Sequence, residues 1–276
     1  MSLRIQTNVE AFNAHRQLVA SSAAMSKSME RLASGFRINR AADDSAGLAI
    51  SEKLRAQIGG IQQAQRNVQD AVSLVQTAEG SMAEVHSMLA RIRDLAVQFN
   101  NGTLSTADKS AITGEVAQLC AEISRIAQQT KFNNIPLLSG GATITFQIGA
   151  DDGQTLTITG TNLFGSGSTF NVNSAAFDFT TQYTSNTLLA SLDEAIANVA
   201  TSRSNFGSVQ NRLEHTLNNL ASYEENLTAS ESRIRDVDMA AEMVTFTKFQ
   251  ILQQAGTSML AQANTAPQSV LALLRG

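Results

Sequence analysis

Apolar residues recur every seven positions through much of the chain. Between about residues 44 and 99, one apolar position is followed by a second three residues later, and this pair repeats over six heptads. A repeat of 3.5 residues keeps one stripe of a helix facing a partner helix. The pattern therefore predicts a long coiled-coil helix. Its two stripes are Leu54, Ile61, Val68, Val75, Met82, Leu89 and Ala96, and Ala64, Ala71, Ala78, Val85, Ile92 and Phe99.

A second heptad pattern begins at about residue 186, and a shorter helical pattern covers residues 106–129. Ser105 and Asp108 have the spacing of a capping box, and the turn before them is short, so the shorter helix is expected to fold back on the first one. We interpret Cys120 as a packing residue of this helix. The sequence predicts a mainly α fold, an antiparallel coiled-coil rod. The stripe of the returning helix is Leu192, Val199, Phe206, Leu213, Leu220 and Leu227.

Residues 140–185 break the helical pattern and are rich in Gly, Ser and Thr. Residues 143–148 alternate with period two, a turn with the sequence Asp-Asp-Gly follows, and residues 155–158 alternate again. This arrangement is typical of a β-hairpin. We expect a small β region at the end of the rod.

The two ends of the chain, residues 1–40 and 235–276, carry more apolar surface than they can bury alone. Burying the fourteen apolar side chains of the C-terminal segment yields roughly 20–40 kcal/mol, whereas ordering its residues costs roughly 60 kcal/mol. The segment therefore needs a membrane, another part of the chain, or copies of itself. Because the two rod helices return the chain to its starting end, we expect the terminal segments to pair with each other.

Composition excludes several classes of function. Charged residues are 16% of the chain and the net charge is -4, so nucleic acid is not an expected partner. One cysteine excludes an internal disulfide, and His15, His86 and His215 have no zinc-site spacing. The chain has no apolar run of eighteen residues and no leader-like start, which predicts no membrane span. If the protein leaves the cell, we expect a route that does not cleave a signal peptide. We expect no cofactor and no enzymatic activity.

Charged residues cluster where the rod meets the terminal segments. The pair Asp43 and Asp44 precedes a helix, where carboxylates satisfy free N–H groups. The cations of this region are expected to pair with nearby aspartates. They are Arg31, Arg37, Arg40, Arg233 and Arg235, and the aspartates are Asp43, Asp44, Asp236 and Asp238.

Residues 32–54, LASGFRINRAADDSAGLAISEKL, resemble the N-terminal signature of bacterial flagellin. Residues 234–240 (IRDVDMA), 259–264 (MLAQAN) and 270–274 (VLALL) resemble its C-terminal signature. The resemblance implies a structural subunit that polymerises into an extracellular filament for motility and leaves the cell through the type III export apparatus. Because residues 140–185 are few, the chain resembles a short form without the large outer domains.

The resemblance also implies a division of the chain. Residues 1–43 and 235–276 would form the inner-tube domain, residues 44–139 and 186–234 the rod, and residues 140–185 the β region. The implied partners are further copies of the chain, an export chaperone, and the filament cap and junction proteins. The residues expected at the assembly interface are Phe12, Leu18, Phe36, Met239, Met243, Phe246, Phe249, Ile251, Leu260, Leu271 and Leu274.

Residues 89–98, LARIRDLAVQ, are similar to the flagellin segment that an animal innate receptor, Toll-like receptor 5, recognises. By this resemblance Arg91, Leu95 and Glu115 would be receptor contacts. The same positions are also suited to subunit packing within a filament. The residues alone leave two other classes of protein as alternatives. One is a hook–filament junction protein of related fold, and the other is a membrane-inserting translocator, which is suggested only by the apolar C-terminal segment.

Overall fold

The computed structural model describes residues 8–140, 142–162 and 185–275, except for the side chains of residues 185–187 and 266–275. The described part confirms a mainly α fold with a small β-hairpin region. It contains two compact units, one formed by Gln57–Glu225 and the other by Met1–Ala56 with Asn226–Gly276. The elements are α1 (Val9–Ser34), α2 (Ser45–Phe99), α3 (Thr106–Gln129), β1 (Lys131–Phe132), β2 (Ile135–Pro136), β3 (Thr143–Gln147), β4 (Thr155–Thr159), α4 (Ser185–Arg235) and α5 (Met239–Arg275).

In the unit Gln57–Glu225, α2 and α4 pack antiparallel along the predicted stripes. The stripe residues between Ile61 and Ala96 are buried, as are those of α4 from Leu192 to Leu220. Ion pairs at the edges join the helices in reverse order, with Glu79 to Arg203 at 3.5 Å and Arg93 to Asp193 at 2.6 Å. The heptad prediction is therefore confirmed for this unit.

Helix α3 folds back on α2, as predicted. Ser105 and Asp108 form the expected capping box, which satisfies N–H groups at the start of the helix. Arg91 on α2 and Glu115 on α3 form an ion pair at 2.7 Å. The helix buries Ile112, Val116, Cys120, Ile123 and Ala127, so the packing role of Cys120 is confirmed.

Two short hairpins follow α3. The predicted one pairs β3 with β4 from Thr143 opposite Thr159 to Gln147 opposite Thr155. The other pairs β1 with β2 and was not predicted. Its turn residues Asn133 and Asn134 both have positive φ, as a two-residue hairpin turn requires and as asparagine tolerates better than most residues.

In the second unit, α1 and α5 run antiparallel. The Asn8 side-chain amide donates to the carbonyl of Ala263 at 2.7 Å, and at the other end the N–H of Val237 donates to Gly35 O at 3.0 Å. Gly35 ends α1 in the left-handed conformation, with φ of 76°, which a side chain would disfavour. The expected pairing of the terminal segments is confirmed.

A break separates α4 from α5 where the rod meets the C-terminal segment. Residues 236–238 lie between them, and Phe36 and Asp236 form an isolated β-bridge there. The N–H of Arg37 donates to Arg235 O at 2.7 Å. Asp238 then caps α5 by accepting from the N–H groups of Ala240 and Ala241.

The expected ion-pair partners are also largely wrong. Arg31, Arg40 and Arg235 pair with the glutamates Glu242, Glu30 and Glu52, at 3.6, 2.9 and 2.8 Å. Asp43 instead pairs with Lys27 at 2.7 Å. Asp44 has the predicted helix-start role, since its Oδ1 accepts from the N–H of Gly47 at 2.8 Å. The aspartates accept hydrogen bonds from backbone N–H groups. Most of the arginines pair instead with glutamates, whose longer side chains reach them from neighbouring helices.

Candidate assembly surface

The seam between α1 and α5 combines small side chains with large apolar ones and a few polar ones. The less exposed positions of both helices alternate spacings of three and four residues, as in a coiled-coil seam. Leu18 packs at Gly256, where an added Cβ would lie 3.2 Å from Leu18 Cδ1. The seam residues are Ala11, Ala14, Leu18, Ser21, Met25, Ser28 and Leu32 on α1, and Glu242, Phe246, Phe249, Gln253, Gly256, Leu260 and Ala263 on α5.

Large apolar side chains of both helices point away from this seam. At about 100° per residue, Val244 and Ile251 lie on the side of α5 opposite Glu242 and the other seam positions, and Met259 lies on the exposed flank next to them. They are 71%, 60% and 64% exposed. Val9, Phe12 and Val19 form the corresponding side of α1, with Phe12 68% exposed. We call these two sides the outer faces; the α5 outer face is Val244, Ile251, Leu252 and Met259, and the α1 outer face is Val9, Phe12 and Val19.

One buried polar cluster interrupts the seam. Ser28, only 3% exposed, donates a short hydrogen bond to Glu242 Oε1. The other oxygen of Glu242 lies 3.6 Å from Arg31 Nη1. Arg31 Nε is buried and has no hydrogen-bond partner among the described residues. The cluster therefore holds a carboxylate and a guanidinium inside an otherwise small-residue and apolar seam.

The loop between α1 and α2 is fixed by Asp43. Its carboxylate binds Lys27 on α1 and accepts from the backbone N–H groups of Asn39 and Arg40. The Lys27 contact and these N–H groups lower the pKa of Asp43 to about 2. Gly47, in the first turn of α2, lies so close to Ile38 that a Cβ added to it would be 2.8 Å from Ile38 Cδ1. This loop thereby anchors the end of α1 beside α2.

The residues expected at the assembly interface fall into four groups. Phe12, Met239, Met243 and Ile251 are exposed. Leu18, Phe246, Phe249 and Leu260 are half-buried in the seam. Phe36 is half-buried under Arg235, whose guanidinium carbon lies 4.8 Å from the centre of the phenylalanine ring. The side chains of Leu271 and Leu274 lie outside the described residues.

Residues that contribute to this surface were missed from the sequence. Val244, Leu252 and Met259 are not among the residues predicted at the assembly interface, and the sequence analysis does not predict a cluster of Ser28, Arg31 and Glu242. The spacing of Val244, Ile251 and Met259 does contain a signal, because seven and then eight residues separate them, which is close to two helical turns each time. No local signal brings Ser28 to Glu242, since their contact depends on the antiparallel pairing of the helices.

The expected receptor residues lie in the other unit. Arg91 and Glu115 are exposed and pair with each other across α2 and α3. Leu95 is only 2% exposed and belongs to the core of that unit. The structure thus brings the two charged residues together at the surface and places the leucine beneath it.

The described ranges also bear on metal binding, membrane crossing and thiol reactivity. No group of three or more His, Cys, Asp or Glu residues there is arranged to hold a metal ion. No described helix is long and apolar enough to cross a membrane. Burial raises the pKa of the Cys120 thiol to about 11, so this cysteine is protonated at neutral pH.

Paired terminal helices with apolar outer faces, in a chain that also contains a well-packed helical unit, define a structural subunit that associates with other molecules. Two family models agree with this class. Residues 5–143 match the bacterial flagellin N-terminal helical region, and residues 189–274 match the bacterial flagellin C-terminal helical region. The chain belongs to the bacterial flagellin family. As such it is a structural subunit of the flagellar filament and not an enzyme.

Known relatives match along their whole length. The chain is 50% identical to a flagellin of Halalkalibacterium halodurans over 274 residues, which cover 98% of this chain and 99% of the relative. It is 44% identical to the flagellar filament 33 kDa core protein of Treponema phagedenis, with 98% and 99% covered. These lengths confirm the short form. A structure described as a flagellar hook-associated protein of Vibrio parahaemolyticus shares the fold, with a TM-score of 0.61 at 17% identity, over 70% of this chain and all of that one.

Proposed function

We propose that the chain assembles into the filament through the outer faces of α1 and α5, by coupled folding and polymerisation. The observation that supports this most directly is the exposure of the α5 outer face, where Val244, Ile251 and Met259 are each more than half exposed. Several large apolar side chains exposed on one side of a helix are typical of a binding surface. A second copy of the chain supplies the missing half of the core.

Burial of these faces between subunits would stabilise an assembled state. Complete burial of an aliphatic side chain of this size contributes about 1.5–3 kcal/mol. The seven side chains of the two outer faces retain about half of their exposure, so their burial contributes roughly 5–10 kcal/mol per subunit. Because much of this is needed to order the terminal helices, folding and assembly stabilise each other.

Seeded polymerisation of a truncated chain tests this function. Removal of α5, residues 239–276, is expected to abolish filament growth from short seeds, as seen by electron microscopy. The unit Gln57–Glu225 has its own buried core, so the circular dichroism of the truncated chain should keep the helical signal of that unit. Filaments formed by the truncated chain would refute the proposal.

The sequence left a hook–filament junction protein as the alternative. It is not favoured, because the family models and the relatives matched along the whole chain are flagellins and a filament core protein. Likeness to the hook-associated structure extends to the fold alone. Deletion in the native host distinguishes the two: cells without this chain should lack filaments, whereas a junction protein would leave the filament subunit to be secreted into the medium.

We further propose the partners and route that the family implies. The chain would leave the cell through the flagellar type III apparatus without loss of a leader, bound beforehand by an export chaperone, and would add to the filament beneath a cap and beyond the junction proteins. Residues 1–43 and 235–276 would form the inner tube, with boundaries that fall beside the helix breaks at residues 35–44 and 236–238. N-terminal sequencing of secreted subunits tests the route, and a shortened N-terminus would contradict it.

A receptor surface is proposed at Arg91 and Glu115. Both charges are exposed in a monomer, while Leu95 would act by packing beneath them and not by direct contact. Arg91→Ala should weaken the response of cells carrying Toll-like receptor 5. Arg125→Ala is the matched control, since Arg125 is equally exposed and pairs with Glu122 on its own helix. If the cells respond equally to both variants and to the parent chain, the proposed receptor surface is wrong.

A further inference from the structure

The turn between α2 and α3 contains an asparagine that is followed directly by glycine, Asn101 and Gly102. In the whole sequence no other asparagine precedes a glycine. Glycine has no Cβ, so other atoms can approach its backbone nitrogen closely. The side-chain amide carbon of Asn101 is therefore open to attack by the nitrogen of the next residue. This pair has the composition of a site that changes chemically without an enzyme.

The fold leaves the attacking nitrogen of Gly102 accessible. Asn101, Gly102 and Thr103 are all exposed. A Cβ added to Gly102 would have no atom within 4 Å apart from those of its chain neighbours. Within a helix the nitrogen would be bonded to a carbonyl four residues earlier, but Gly102 N donates no hydrogen bond to any described residue. The folded turn therefore does not withhold this atom from reaction.

The Asn101 side chain bends back along the peptides that follow it. Its Oδ1 accepts from the N–H of Thr103 at 3.3 Å, which is the contact of an Asx turn. The N–H of Leu104 also donates to Asn101 O, at 3.4 Å. An N–H group on the side-chain oxygen stabilises the negative charge that develops there when the amide carbon is attacked. The turn thus presents and polarises the amide that would react.

We propose that Asn101 is a site of spontaneous deamidation. The Gly102 nitrogen forms a bond to Asn101 Cγ, the bond from Cγ to Nδ2 breaks, and Nδ2 leaves as ammonia with the proton of Gly102 N–H, carried by solvent. One water then opens the cyclic imide. If water breaks the new bond to Cγ the product is aspartate, and if it breaks the bond to the main-chain carbonyl carbon the product is isoaspartate. In total one water is consumed and one ammonia released.

The reaction changes the turn in two ways. Each altered chain gains one negative charge, and the isoaspartyl form has one more methylene group in its main chain. That extra length disturbs the hydrogen bond from Leu104 N to the carbonyl of residue 101. Subunits made from one sequence would therefore come to differ in charge and in the geometry of this turn. The inference does not depend on the proposed assembly surface, because the turn lies in the unit Gln57–Glu225.

Peptide mapping by mass spectrometry tests the proposal on the full-length monomer, incubated at mildly alkaline pH with and without urea. The peptide that contains Asn101 should gain the mass of an amide-to-acid exchange and separate by chromatography into aspartyl and isoaspartyl forms. The isoaspartyl form is diagnostic, because direct hydrolysis of the amide cannot produce it. The rate in the folded chain should lie within about tenfold of the rate in urea, since the fold leaves the turn open.

Two controls make the result decisive. Gly102→Ala should slow the reaction by about tenfold or more, because a methyl group hinders the nitrogen. This variant should fold, since Gly102 has open space around it and its φ lies outside the left-handed region. Asn133 is an exposed turn residue that precedes another asparagine, and it should change more slowly than Asn101.

Three results would overturn the deamidation site. One is a folded-chain rate more than about tenfold below the rate in urea, which would show that the fold protects Asn101. The others are a product without the isoaspartyl form and a Gly102→Ala chain that reacts as fast as the parent. None of them bears on assembly, which is judged by filament growth.

Discussion

A charge at Ile251 should block filament growth while leaving the monomer folded. The side chain is 60% exposed, so Ile251→Asp removes about 1–2 kcal/mol of apolar burial available on assembly. A carboxylate buried without a partner costs at least about 2 kcal/mol more. The sum of 3–4 kcal/mol per subunit raises the critical concentration for polymerisation by roughly 100-fold to 1,000-fold.

The assay is sedimentation of filaments grown from parent seeds at increasing subunit concentrations. Monomer stability serves as the first check, and its melting temperature should change little because the side chain is mostly in solvent. Ile251→Met keeps an apolar side chain and should polymerise nearly as the parent does. Gln250→Glu adds a charge to an exposed position of α5 about 100° around the helix from Ile251 and should have a small effect. A critical concentration for Ile251→Asp within threefold of the parent would refute the reasoning.

Three further predictions concern the monomer. Leu89→Ala removes a fully buried stripe residue and should lower the free energy of unfolding of the unit Gln57–Glu225 by about 2–5 kcal/mol, measured in urea; a loss below 1 kcal/mol would contradict its core role. The pKa of Asp43 is about 2, below its ordinary 3.8, so Asp43 stabilises the fold at higher pH and this contribution is lost as pH falls from about 4 to about 2. In Asp43→Asn the free energy of unfolding should fall less between pH 4 and pH 2 than it does in the parent chain. An equal fall in both would contradict this role of Asp43. The Cys120 thiol, with a pKa raised to about 11 by burial, should react slowly with a disulfide reagent at pH 8 and quickly in urea; equal rates would show that it is accessible.

Heptad spacing made the helical unit predictable from the sequence. A stripe such as Val68, Val75 and Met82 indicates a buried side, because only one arrangement of two long helices hides all of it. Local chemistry likewise predicted the capping box at Ser105 and the hairpin of β3 and β4. These features depend on residues that are close in the sequence, or on a pattern repeated many times.

The pairing of the terminal helices was predictable, but the sides through which they pair were not. Both sides of α5 contain apolar residues, and the contacts on the seam side join residues far apart in the sequence, such as Glu242 and Ser28, which are 214 positions apart. Phe36, predicted at the assembly interface, lies half-buried under Arg235, a contact between residues almost 200 positions apart that no local pattern shows. The turn at Asn133 and Asn134 did have a local signal, two adjacent residues that tolerate positive φ between β-forming neighbours.

Methionine oxidation tests the central claim most directly, with the unaltered protein. Met239, Met243 and Met259 of α5 are about half exposed or more, while Met82 is fully buried in the other unit. Peroxide oxidises accessible methionines, and mass spectrometry gives the rate at each position. The account predicts that Met259 oxidises quickly in the monomer and is protected in the filament, with Met82 slow in both. Equal oxidation of Met259 in monomer and filament would contradict assembly through the outer face of α5.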